Sequence, residues 1–265
     1  MDIVLIGAGR LATQLALALS EKGRHRILSV YSRTLTSAYT LAQKVNAEAT
    51  NDITSLPSHA DAFIMAVKDD ALPTLAVQLA CHLSKDSNTA SPVFHTAGSI
   101  DMEVLGAIPH HGVIYPMQTF SKERSVDFDQ IPFFIEASDA ETLTVARTMA
   151  SSVSSHVECL DSLRRRQLHL SAVFACNFTN HCYTLAADIL ERNGLDFSVM
   201  LPLITETASK VATMHPREAQ TGPAVRYDKT VIEHQRQMLA DNPLTQQIYQ
   251  LMSESIHEHS SLVHS

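Results

Sequence analysis

No apolar run in this chain approaches the roughly 20 residues needed to cross a bilayer. No leader is expected either, since the first strand pattern already begins at Asp2. Positive charge is scarce: 20 Lys and Arg against 28 Asp and Glu leave a formal charge of −8. That balance argues against nucleic acid or an anionic membrane surface as partner. Cysteine is limited to Cys81, Cys159, Cys176 and Cys182, with no C-x-x-C pair. A cytoplasmic protein with reduced, mostly buried thiols is expected. The 14 histidines are scattered, and the densest groups, His110-His111 and His257-Glu258-His259, lack partners at zinc-like spacing. They read as solvated, and no metal site is expected. Internal repeats and low-complexity linkers are absent as well.

One further absence is local. Between Glu21 and Glu48 the chain carries no acidic residue at all. Its meaning depends on what flanks it. The chain opens with an apolar strand, Asp2 to Ile6, that turns through Gly7-Ala8-Gly9-Arg10-Leu11-Ala12 into an Ala- and Leu-rich helix. This G-x-G-x-x-A junction presents bare backbone N–H groups and a helix N-terminus to a pyrophosphate, so a dinucleotide is expected there. Gly23 is expected to end the helix in the left-handed conformation. The next strand, Ile27 to Tyr31, ends at Ser32-Arg33-Thr34, where an NAD site would place a carboxylate. Two hydroxyls and a guanidinium suit a 2′-phosphate instead, which selects NADP.

Strand and helix patterns then alternate: a helix from Thr36 to Lys44, and strands near Glu48–Thr50, Ala62–Val67, Pro92–Ser99, His111–Met117, Ile131–Glu136 and His156–Leu160. Asp70 is expected to cap a helix reaching Leu83. Ligands in such open sheets bind beyond the carboxyl ends of the strands. Ala66, Val67, Lys68, His95 and Thr96 fall there as cofactor contacts, and Ser99, Tyr115 and Gln118 as substrate contacts. After Asp161 the pattern becomes helical: Leu163 to Asn193, Phe197 to Met214, about Asp228 to Leu239, and Pro243 to Glu258. The fold class is therefore α/β, an N-terminal Rossmann doubly wound, mostly parallel sheet (1–157) followed by an all-α C-terminal domain (158–265).

Gly7-Ala8-Gly9, Ser32-Arg33, the stretch Asp61 to Asp70, His95-Thr96-Ala97-Gly98-Ser99 and Tyr115-Pro116-Met117-Gln118-Thr119-Phe120 together resemble one group. These are Rossmann-like proteins with a helical C-terminal domain of unknown function, similar to pyrroline-5-carboxylate reductase and, more distantly, to 6-phosphogluconate dehydrogenase. The stretch Gln220 to Asp228, with Val231 and His234, resembles that domain's signature. The resemblance implies the two-domain architecture, an NADP-type cofactor and a dimer formed through the helical domain. In the hydroxyacid-dehydrogenase relatives a lysine stands four residues before an asparagine on the long helix. Here Val173 precedes Asn177 and Cys176 precedes Asn180, so the lysine is missing.

The polar groups that the helix does offer are His169, Asn177 and Asn180, the catalytic candidates. At about 100° per residue, Asn180 lies within roughly 20° of His169 and Asn177 about 80° away. His169 suits a general acid near neutral pH. Arg226, after Gly222-Pro223-Ala224, suits a substrate carboxylate or an ion pair. The run Arg164-Arg165-Arg166 reads as a solvated face. Two functions stay open: an NADPH-dependent reductase of a small imine, keto acid or similar metabolite at an interdomain cleft, or a cofactor-binding module without turnover that serves as sensor or interaction partner.

Overall fold

Short apolar runs separated by amphipathic helices wind into one sheet in the computed structural model, which describes residues 1–85, 91–121, 124 and 126–261. The strands are β1 Asp2–Ile6, β2 Arg26–Tyr31, β3 Glu48–Thr50, β4 Ala62–Met65, β5 Val93–His95, β6 His111–Pro116, β7 Phe133–Ala137 and β8 Val157–Cys159. They stand in the order β3-β2-β1-β4-β5-β6-β7-β8. All neighbours pair in parallel except β6 and β7, which are antiparallel. The chain leaves β1 toward β3, then returns across β1 to β4, so the order reverses at the β1–β4 junction. Such a switch point opens a crevice at the carboxyl ends of the strands.

The central strands are apolar on both sides because helices cover both faces. On one face Ile3, Leu5, Ile64, Phe94, Ile114 and Ile135 pack under α1 (Arg10–Glu21), α2 (Leu35–Val45) and α4 (Ala140–Ser151). On the other, Val4, Ile6, Phe63, Met65 and Val93 pack under α3 (Leu72–Leu83). Each fully buried side chain of this size stabilises the fold by about 1.5–3 kcal/mol.

Two helix ends depart from expectation. Gly23 is not left-handed; Arg24 is, at φ 53°. Gly23 is small for another reason: a Cβ there would lie 2.6 Å from Ser152 Oγ and 2.8 Å from the Leu19 carbonyl. Asp70 caps nothing, because Asp69–Ala71 forms a short 3-10 turn and α3 begins after it, with Pro73 in its first turn.

The chain divides into two compact units, Met1–Asn177 and Phe178–Ser265. The helix α5 (Ser162–Ala172) belongs to the first, and the π-helical segment Val173–Phe178 holds the division. The second unit contains α6 (Thr179–Arg192), α7 (Leu201–Lys210), α8 (Pro216–Ala219), α9 (Lys229–Gln237) and α10 (Pro243–Ser261). Within it Arg192 pairs with Asp241 at 3.1 Å, and Tyr249 donates to Gln235 at 2.7 Å. The cysteines are free as expected but not mostly buried: Cys81, Cys159 and Cys182 are exposed and Cys176 half-buried. Among the described residues no helix is long and apolar enough to cross a membrane, and no cluster of His, Cys, Asp or Glu could hold a metal.

His111 is buried, its Nδ1 donating to the Ile108 carbonyl at 2.7 Å, and His110 pairs with Asp139 at 3.0 Å. Neither is simply solvated. Asp139 caps α4, accepting from the Thr142 N–H at 2.9 Å and from the Thr142 and Ser138 hydroxyls. The Thr142 backbone bond above all, then His110, holds its carboxyl far below the usual range. A depressed carboxyl stabilises the fold above the ordinary carboxylate range and loses that contribution as pH falls through its folded value. Asp139→Ala is therefore expected to lower the thermal midpoint, with the gap to wild type persisting at pH about 4 and closing only in stronger acid. A midpoint unchanged by Asp139→Ala across this pH range would remove the cap from the stability of the fold.

Candidate functional site

At the end of β1 two glycines stand two residues apart for different reasons. Gly7 adopts φ +124°, a conformation that favours glycine. A Cβ there would collide with the Ala66 carbonyl, because β4 runs alongside and the Ala66 N–H donates to the Ile6 carbonyl at 2.8 Å. Gly9 has an extended backbone open to any residue, yet a Cβ on it would meet nothing within 4 Å. It caps α1 without a side-chain bond, and the first turn holds no acid. The N–H groups of that turn thus face open space at the positive end of the helix. Space, donors and field all fit a pyrophosphate. Ala8, Arg10 and Leu11 complete the turn, and Arg10 and Leu11 line the cavity described next.

A second uncapped helix start follows β2. The Ser32 N–H donates to the Thr50 carbonyl at 3.1 Å, Arg33 is exposed, and Thr34 turns its hydroxyl to Ser37 at 2.8 Å rather than capping α2. With no acid in the first turn of α2, this corner suits a phosphate held by a guanidinium.

Within the first unit, the carboxyl ends of β4, β5 and β6 open into a cavity of about 660 Å³. Val67, Thr96, Tyr115, Gln118, His169 and Asn177 line it, bringing together six of the residues expected from the sequence. Ala66 and His95 are buried behind this wall, Lys68 is exposed, and Ser99 hydrogen-bonds Asp69. Asn180 and Arg226 belong to the second unit, both exposed, in α6 and in the turn before α9.

The sharpest geometry in the cavity joins β6 to α5. Tyr115 Oη and His169 Nδ1 lie 3.1 Å apart, with the rings edge to face at 5.9 Å. Gly98 lets them meet over the end of β5: a Cβ there would stand 2.5 Å from His169 Nδ1 and 2.9 Å from Tyr115 Cζ. Burial pushes the Tyr115 phenol up from its ordinary value while the Arg165 charge opposes it, so it keeps its proton at neutral pH. Burial pushes His95 down to about 3, aided by the Arg165 charge. His95 is neutral at physiological pH, and its Nδ1 accepts the Ala97 N–H at 3.1 Å. It shapes the turn that carries Gly98.

The middle of the Arg164-Arg165-Arg166 run is not solvated. Arg165 has 0% exposure; it donates to Glu136 Oε2 at 2.5 Å, to the Ile100 carbonyl at 2.6 Å and to Ser162 Oγ at 3.0 Å. Glu136 also accepts the Ser162 N–H at 2.9 Å and the Ser162 hydroxyl at 2.7 Å. One helical turn on from Arg165, His169 reaches the cavity.

The π-helical segment alters which asparagine follows it. A π turn adds about one residue to the helix and sets later residues back by roughly 100°. Asn177 thereby comes round to the His169 side and lines the cavity. Sequence reasoning also missed Asp69, Gly98, Phe120 and Cys176 in this wall. Only Gly98, at the polar end of a strand pattern, carried a readable signal. Phe120 is fixed by packing on Phe128 at 5.8 Å, and its loop by Gln14, which donates to the Ser121 carbonyl at 3.0 Å.

Residues 2–91 match the family model described as NADP oxidoreductase, coenzyme F420-dependent. Residues 131–256 match a domain of unknown function, DUF2520. Among solved structures, a Bacteroides fragilis protein provisionally designated an NADP oxidoreductase is 53% identical, over 97% of this chain and 98% of that one, with a TM-score of 0.90. An imine reductase from Myxococcus stipitatus in complex with NADP+ is 15% identical, over 99% and 95%, with a TM-score of 0.69. A 1-pyrroline-5-carboxylate reductase from Streptococcus pyogenes is 14% identical, over 97% and 98%, with a TM-score of 0.61. The last two likenesses bear on the fold alone. A comparison with curated proteins finds no match.

The two glycines of the opening turn make separable predictions. Gly7→Ala is expected to lower the thermal midpoint, since both backbone and neighbour resist it. Gly9→Val is expected to leave the unfolding free energy within about 0.5 kcal/mol of wild type, as other open surface sites do, yet to abolish dinucleotide binding read by calorimetry. Binding that survives Gly9→Val would remove the pyrophosphate from this turn.

Proposed function

The chain belongs to the family of the Bacteroides fragilis protein, in which an NADP-oxidoreductase Rossmann domain precedes a helical domain of unknown function, and on that footing we propose an NADPH-dependent reductase of a small imine, keto acid or similar metabolite. The observation that carries this reading is the Tyr115–His169 couple facing the cavity at 3.1 Å. When bound, NADPH supplies a hydride to an electrophilic carbon.

The protein's own residues do the rest. Gly7, Ala8, Gly9, Arg10 and Leu11 hold the pyrophosphate at the start of α1, and Ser32, Arg33 and Thr34 hold the 2′-phosphate. Val67 and Thr96 flank the cofactor at the strand ends, while Gln118 and Asn177 orient the polar end of the substrate. Tyr115 Oη hands its proton to the nitrogen or oxygen of the substrate double bond. His169 Nδ1–H, lying on the far side of that oxygen, returns a proton to the phenol. The imidazole regains that proton from solvent. In this reading residues 1–157 hold the cofactor, and residues 158–265 supply His169, Asn177 and a dimer surface.

The dimer has its own support. Neither α7 nor α9 buries a single residue. Leu201, Leu203 and Val211 are half exposed or more, as is Met238 just beyond α9. Apolar helix faces of this kind are what a second copy covers. Sedimentation is expected to show two copies, and Leu203→Glu to shift the chain toward monomer; a wild-type monomer at micromolar concentration would overturn the assignment.

Turnover is tested by following NADPH absorbance with a panel of imines and keto acids. Tyr115→Phe and His169→Ala are each expected to cut kcat by about 10²-fold or more while leaving NADPH affinity unchanged. Because burial raises the phenol, the loss of rate that comes from Tyr115 giving up its own proton should lie above the ordinary tyrosine range. Arg33→Ala should weaken NADPH far more than NADH. Tight NADPH binding without consumption across the panel would favour the sensor reading, which the missing lysine supports.

A further inference from the structure

The long helix is attached to the sheet in an unusual way, and the attachment lies next to the proton-handling couple. An amphipathic helix ordinarily lays an apolar stripe on its sheet. The residues that α5 buries are instead Ser162 and Arg165. Both are spent on Glu136 of β7, and Arg165 also closes on the Ile100 carbonyl of the loop after β5. Val113 of β6 pairs with Glu136 on one side and His95 on the other. Tyr115, two residues along β6, therefore points to the same sheet face as both.

We propose that the buried Arg165–Glu136 pair is a positioning device for the reaction: Arg165 seats α5 so that His169 meets Tyr115, and it sets a fixed positive charge beside the phenol. This rests on the reading of Tyr115 and His169 as the proton-handling couple. His169 of α5 bonds the phenol and the Arg165 charge acts on it, His95 of β5 and Glu136 of β7 share its sheet face, and Asp69 and Arg10 line the same cavity. His95 is neutral, and Glu136 is engaged by Arg165 and Ser162. Burial alone would leave the phenol a poor proton donor, and the Arg165 charge works against burial. Arg165 touches neither cofactor nor substrate in this scheme; it acts through two residues that do.

The two halves of the pair make opposite predictions, which a merely structural role cannot. The Tyr115 titration is read by NMR of carbon-labelled tyrosine in the NADP+-loaded protein, with Tyr115→Phe assigning its signal among the six tyrosines. Arg165→Met is expected to move the titration up by about one pH unit or more, and Arg165→Lys to restore most of the difference. Glu136→Gln removes the counter-charge while keeping an acceptor for Arg165, and is expected to move the titration down. That arm is decisive even where Arg165→Met fails to fold. In a second readout, Arg165→Met lowers kcat with the KM for NADPH unchanged, and the alkaline limb of the rate follows the phenol. A titration unmoved by Glu136→Gln, or moved in the same direction by both substitutions, would overturn the proposal. A protein that titrates as described but reduces nothing would instead sink the reductase reading and leave the electrostatic coupling standing.

Discussion

Arg165, with no solvent contact, fastens the helix that follows the sheet onto the sheet itself. Its partner Glu136 sits on β7, the antiparallel strand beyond β6, and the same carboxylate also takes both donors of Ser162. The two terminal nitrogens of this guanidinium, withdrawn from water, donate to Glu136, Ile100 and Ser162, while its Nε meets no acceptor among the described residues; removing one member of such a buried pair costs about 3–5 kcal/mol. The cost is what makes the arrangement specific. A greasy interface would allow α5 to slide or roll by small amounts; a buried fork with three acceptors allows one seat. Everything on the cavity side of α5, from His169 to Asn177, inherits its position from that seat.

The opposite wall is built by close backbone approach rather than by charge. Gly7 lets β1 and β4 run together before the chain turns away, and Gly98 leaves room for an imidazole over the end of β5. At Gly9 a side chain would meet no described residue within 4 Å. The crevice therefore has a floor of strand ends, one glycine-lined corner and one polar couple. It sits where the strand order reverses, as open α/β sheets place their ligands.

Most of the fold could be read from the residues because the controlling interactions are local. The runs at Ile3–Ile6 and Ala62–Met65 are apolar throughout, and only a strand covered on both faces accepts that pattern. The opening glycine turn was legible for the same reason. What stayed hidden depends on partners far along the chain. Arg165 reads like its two neighbours until Glu136, 29 residues earlier, is placed beneath it. Gly23 looks like a helix terminator, while its constraint comes from Ser152. Tyr115 and His169 were each legible as polar groups in promising places, but 54 residues separate them and nothing local announces their contact.

The π-helical segment Val173–Phe178 carries a consequence for comparisons between relatives. Matching two sequences position by position assumes that equal counts mean equal directions. Across this segment that assumption fails by about one residue. In a relative whose helix is uniform, the position facing the crevice beyond this point corresponds by count to a neighbour of the one that faces it here. A functional group sought at a fixed interval along the helix is then sought on the wrong meridian. Equivalence in this family has to be established by direction in space, with the numbering following from it.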